Sequence, residues 1–279
     1  MPHYRSFVAF ALSAAFAVAA PQEPAKDAPK DAPKAEMLRR DPEAVKLLEA
    51  HDALMYYVRE EGAKDVAFSL ALPVGVLVDM KWMAPDKQTW SGRASPDVGE
   101  DIAKRLNLLL STPSFKEAMD AQVPSFVRTV IGGKESDLYA KDSLELLGPK
   151  QLKIVAKNPE TASKIKEITA TFDEKGRLKL LQIASPLGAV SELEPTYLEH
   201  KGKFLVKEFK TVTKSAAGQA QVSTLQNEYV DVGGFMLLSR VTMQSPAAVG
   251  APPAAAEKQE LNFSGHKVNS GLTEADFKK

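Results

Sequence analysis

From Ile165 onward, runs of alternating apolar and polar residues are separated by short glycine-bearing turns, and this succession constrains the chain more than any other feature. Ile165 to Phe172 and Leu178 to Ile183 flank DEKG, where Gly176 is available for positive φ. Tyr197 and Phe204 to Phe209 flank EHKGK; Val222 to Val232 turns at Gly233-Gly234 into Phe235 to Met243; EKQELNFSGHKVN supplies a last strand. A period of two puts alternate side chains on opposite faces of a sheet, and tight turns join neighbours in antiparallel order. The expected product is an antiparallel meander, strongly twisted and closing part of the way to a barrel.

Upstream the pattern is mixed. DPEAVKLLEAHDALMYYVREEG reads as one amphipathic helix, capped by Asp41, started by Pro42 and ended by Gly62, with Val45, Leu48 and Met55 on its apolar side. His51 lies near that stripe and reads as a structural histidine, since His3, His200 and His266 show no pairing with it. Val66, Phe68, Leu70 and Leu72 then alternate with smaller or polar residues, and Val76, Val78, Met80 and Trp82 repeat the pattern until Pro85, so two strands are joined around Pro73 to Gly75. Leu77, Asp79 and Lys81 fall on the opposite face of the second strand. The helical period returns over residues 96–131, where Pro113 and Pro124 are expected to divide it into short helices.

The N-terminus sets the expected compartment. Arg5, the apolar run Phe7 to Ala19 and the small residues Ala17-Val18-Ala19 have the layout of a secretory signal peptide cleaved after Ala19. Pro21 and Glu23 follow too soon for the ~20 apolar residues of a membrane span. Residues 20–38, with KDAP in tandem, read as a disordered Pro/Ala/Lys/Asp tether, and 39–279 as a single domain. The mature chain is expected in the periplasm or secreted, with no transmembrane segment. Lys plus Arg number 36 and Asp plus Glu 36, so no global field draws the protein to nucleic acid. The chain has no Cys, hence no disulfide and no thiol for lipid attachment.

No nucleophile elbow, H-E-x-x-H motif or phosphate-cradling glycine loop is present, and neither a cofactor nor a metal is implied. The carboxylate pairs Glu60-Glu61, Asp173-Glu174 and Glu192/Glu194 read as surface groups rather than an acid–base pair in a cleft. No catalytic residues are assigned, and the chain does not read as an enzyme.

The order of elements, with a strand pair near KWMAPDKQTW and a meander ending YVDVGGFMLLSRVTM and LNFSGHKVNSGLTEADF, resembles the periplasmic lipoprotein-carrier superfamily, the Lol-type sorting proteins. The resemblance implies an α+β fold: a strongly curved antiparallel sheet forming an unclosed half-barrel, with helices packed on or lidding its concave face. It implies as partner a hydrophobic ligand such as a lipid or lipoprotein acyl chain. Carriers of this family place an arginine before the proline that ends the second or third strand; here that position is Ala84. If the apolar face of the second strand is the concave one, Val76, Val78, Met80 and Trp82 line the ligand site. Phe115, Met119 and Phe126 then face it from a helical stretch that break points at Pro113, Pro124 and Gly132-Gly133 leave free to swing. Two other readings stay open: a regulatory module on the same fold that contacts an envelope protein, and a hydrolase with dispersed residues.

Overall fold

A computed structural model of the chain describes residues 38–157, 165–245 and 257–278. The expected signal peptide, its cleavage point and nearly all of the tether lie outside these residues. Twelve strands form one sheet: β1 (Asp65–Leu72), β2 (Val76–Met83), β3 (Lys87–Ala94), β4 (Ser143–Gly148), β5 (Gln151–Val155), β6 (Glu167–Phe172), β7 (Leu178–Ala184), β8 (Val190–His200), β9 (Lys203–Lys214), β10 (Ala220–Val232), β11 (Phe235–Ser245) and β12 (Glu257–Val268). Their spatial order is β3-β2-β1-β12-β11-β10-β9-β8-β7-β6-β5-β4, antiparallel throughout. β3 and β4 are unpaired with one another, so the sheet is unclosed. Pairing β12 with β1 joins the last described strand to the first. The Asp65 carboxylate reinforces that seam by accepting hydrogen bonds from the Ser270 amide and hydroxyl, both at 2.7 Å, and from the Gly271 amide at 3.2 Å.

The turns follow from the sequence. Gly176 takes φ 82°, and Asp173 folds DEKG by accepting from the amides of Lys175 and Arg177, each at 2.9 Å. Gly233-Gly234 adopts φ 62° and 88°, the left-handed pair that a two-residue hairpin between β10 and β11 requires.

Among the described residues four α-helices accompany the sheet: α1 (Pro42–Leu54), α2 (Glu100–Ser111), α3 (Pro113–Ile131) and the single turn α4 (Glu135–Leu138). Asp41 caps α1 by accepting from the Glu43 amide at 2.9 Å, but the helix stops at Leu54 rather than at Gly62. Met55, Tyr56, Tyr57 and Val58 are all buried, which one helix face cannot achieve. The chain leaves the helix extended at Met55 and enters a turn at Val58, with the Tyr56 amide donating to the Phe204 carbonyl at 2.9 Å. Nor does Pro124 divide α3, as its position suggested. The helix runs through it with Met119, Val123, Val127 and Val130 buried on one side, and α3 touches β2, β3 and β11. Burying each such side chain contributes about 1.5–3 kcal/mol, comparable to the ~3 kcal/mol that an interior proline costs.

The core occupies one face of the sheet. In β2 the residues alternate as expected, Val76, Val78, Met80 and Trp82 inward, Leu77, Asp79, Lys81 and Met83 only half-buried. Phe68, Leu152, Ile168, Leu181, Leu237 and Phe263 extend that core along the strands.

Candidate functional site

A cavity of about 110 Å³ opens between the core face of the sheet and the segments that follow α1 and α3. β5 to β7 contribute Ile154, Ala170, Phe172 and Leu181, and β9 contributes Leu205 and Phe209. Its most distinctive component is tyrosine. The chain has 6 tyrosines, and Tyr56, Tyr57, Tyr139, Tyr197 and Tyr229, all except Tyr4, line this cavity. The hydroxyls are largely spent on the protein itself. Tyr57 donates to Asp52 Oδ1, Tyr197 to the Leu178 carbonyl and Tyr229 to the Val206 carbonyl, each at 2.8 Å, while the Tyr56 hydroxyl accepts from the Met236 amide at 3.1 Å. Burial raises the titration of all four above the ordinary tyrosine range, so they remain neutral. With their oxygens tied back, these tyrosines contribute mainly ring surface.

The wall is assembled from the end of α1. Buried Asp52 accepts from the amides of Glu135 at 2.8 Å and Ser136 at 2.9 Å, as well as from Tyr57. These bonds satisfy the first amides of α4 and fix Glu135 against the cavity. Gly132 makes the close approach possible: its φ is 74°, and an added Cβ would sit 2.8 Å from Tyr57 Cδ1. His51 joins the same wall through an Nδ1 contact of 3.1 Å to the Gly176 carbonyl, and its ring lies 5.3 Å from that of Phe172. Burial lowers its titration, outweighing the Gly176 carbonyl and the charges of Asp52 and Asp173.

Two charged side chains, those of Arg128 and Glu135, belong to the cavity lining. Arg128 donates from Nη2 to the carbonyls of Gly133 at 3.2 Å and Lys134 at 2.7 Å. Glu135 also lines the cavity, and burial pushes its carboxyl up to about 7, with Arg128 opposing and Asp52 adding to the shift. Among the described residues no group of His, Asp and Glu could hold a metal ion, and no helix is long and apolar enough to cross a membrane. Of the acidic pairs, Glu60 meets Lys134 at 3.1 Å, Glu61 meets Lys203 at 2.8 Å, Asp173 meets Arg177 at 2.7 Å and Glu192 meets Lys214 at 3.6 Å.

The residues expected at a ligand site are brought together, but elsewhere. Val76, Val78, Met80 and Trp82 are 2% exposed or less, and Met119 is 6% exposed. Phe115 and Phe126 are half-buried against the same cluster, and the Phe115 ring stands edge-on to Trp90 at 6.2 Å. None of the seven lines the cavity. Sequence reasoning missed Tyr57, Arg128, Glu135, Tyr197 and Tyr229. The signal available was the aromatic pair Tyr56-Tyr57, which fits a buried extended segment better than a helix end, and Gly132-Gly133 directly after the α3 stripe. No family model matches the chain, and neither a curated protein nor a solved structure does.

Proposed function

We propose that this protein binds an apolar, chain-like ligand, of which a lipid acyl chain is the type, in the tyrosine-lined cavity, and that it does so in the cell envelope as a soluble carrier. The observation that carries the reading is a cavity of about 110 Å³ whose walls are aliphatic side chains and tyrosine rings with their hydroxyls turned to the protein. A dense interior seldom leaves a void larger than a water, and an apolar cavity of ~150 Å³ accepts a guest the size of benzene. A chain threaded end-on fits this width better than a bulky ring system. On this reading the lined face is the concave side of a half-barrel, and α3 with the segment Met55–Val58 closes over it. The pattern shared with lipoprotein carriers supports the same class of ligand, and the signal-like N-terminus supports the compartment.

A second reading, a module that docks another envelope protein, rests on α2. Ile102, Leu108 and Leu109 are 54%, 70% and 43% exposed there, a concentration of bare aliphatic surface on one helix. Native mass spectrometry separates the two. The first expects an adduct with the mass of an acyl-bearing molecule, either on protein recovered from its own envelope or after incubation with methyl dodecanoate. A bare mass in both preparations, together with a stable protein complex that Leu108→Asp abolishes, favours the second.

A further inference from the structure

Arg128 and Glu135 both line the cavity, opposite in charge, and Arg128 holds the carbonyl of Lys134, the residue before Glu135, yet among the described residues no ion pair joins them. Arg128 commits Nη2 to two backbone carbonyls. Its Nε and Nη1 hydrogens are left without a partner among the described residues. Glu135 commits its amide to Asp52 and its carboxyl to no hydrogen bond. Both residues are half-buried and line the cavity, so the hydrogen-bonding capacity that the protein leaves unused is met by water that a ligand head can displace.

Building on the proposed apolar ligand, we infer that Arg128 and Glu135 recognise the head of that ligand, and that the head is a neutral carboxamide. The choice follows from the two charges. An ammonium would satisfy Glu135 but crowd Arg128, and a carboxylate would do the reverse. A carboxamide carries a C=O acceptor and an N–H donor side by side, so that it accepts from the guanidinium while donating to the carboxyl. The apolar chain attached to it then runs toward Phe172, Leu181 and Phe209. Asp52 and the hydroxyls of Tyr57, Tyr197 and Tyr229 take no part, because each is already bonded to the protein.

The test compares dodecanamide with methyl dodecanoate by isothermal titration of the intact protein at pH 8, above the titration of Glu135 at about 7, so that its carboxyl is ionised. The two share the chain and the carbonyl, but the ester lacks the N–H. The amide is expected to bind about ten- to hundredfold tighter, the worth of a hydrogen bond to a charged group. Glu135→Leu should abolish that preference, the amide and the ester then binding it equally, and Glu135→Gln, which keeps an acceptor, should retain much of it. Equal affinity of the wild type for both probes overturns the head-group assignment, since water then serves Glu135, while the apolar site stands. A preference that survives in Glu135→Leu overturns it equally. If neither probe binds, the apolar-ligand reading fails and this inference with it. Should Glu135→Leu not fold, the wild type and Glu135→Gln decide: a preference in both supports the assignment, and its absence from the wild type overturns it.

Discussion

The Tyr57 hydroxyl donates a 2.8 Å hydrogen bond to Asp52 Oδ1, and both residues are buried, Asp52 at 4% exposure and Tyr57 at 8%. The same carboxylate holds the amides of Glu135 and Ser136, so a single side chain at the end of α1 joins α1, the extended segment after it and α4. Asp52→Ala strands three donors, each of which costs about 1–3 kcal/mol when buried and unpaired. We expect a loss of at least ~3 kcal/mol in urea unfolding, with Asp52→Asn intermediate because it retains one acceptor oxygen. A change below ~1 kcal/mol for Asp52→Ala would mean that water replaces the carboxylate.

Glu135 predicts a specific pH dependence. Its carboxyl is raised from 4.5 to about 7 by burial, in the presence of Arg128, Asp52, Tyr57 and Tyr197. Because the folded state binds this proton more tightly than the unfolded state, the contribution to stability is fully present below 4.5. It is lost as pH rises through about 7. Thermal unfolding of the wild type should therefore decline between these values more than that of Glu135→Gln, and the variant should be the more stable of the two above pH 7. Parallel stability curves for the two proteins would place the carboxyl in water.

Trp82 separates core from site. It is 2% exposed, faces inward from β2 with Val78 and Met80, and lies outside the cavity lining. Trp82→Ala is expected to cost about 3–5 kcal/mol while leaving the affinity of the remaining folded protein for methyl dodecanoate unchanged. A fall in affinity with little loss of stability would return Trp82 to the ligand site.

The alternation in β2 was legible because a period of two is a local property: Val76 to Trp82 share a face whatever lies opposite. The hairpins at Gly176 and Gly233-Gly234 were legible for a similar reason, since a positive φ restricts the residue type on the spot. What lies opposite a face is not local. Met55 and Tyr56 leave the helical pattern because they pair with Phe204, a partner far along the chain that no window around Met55 contains. The cavity is still less visible from sequence. Tyr57, Glu135, Tyr197 and Tyr229 come from separate elements, and each reads as ordinary core or surface until the fold brings them together. Pro124 misled because its cost is intrinsic and local, whereas the burial of Val123 and Val127 that offsets it is tertiary.

The central claim is that the cavity receives an apolar guest, and Ala170 offers the most direct test. Its side chain is 3% exposed on β6 and lines the cavity, so Ala170→Phe places a ring in the space a guest would occupy. Overpacking costs about 1–3 kcal/mol, which leaves the variant folded for titration with methyl dodecanoate. The account predicts saturable binding at one site in the wild type, and a loss of affinity of at least about tenfold in Ala170→Phe. Absence of saturable binding to the wild type, or equal binding to both proteins, would contradict it.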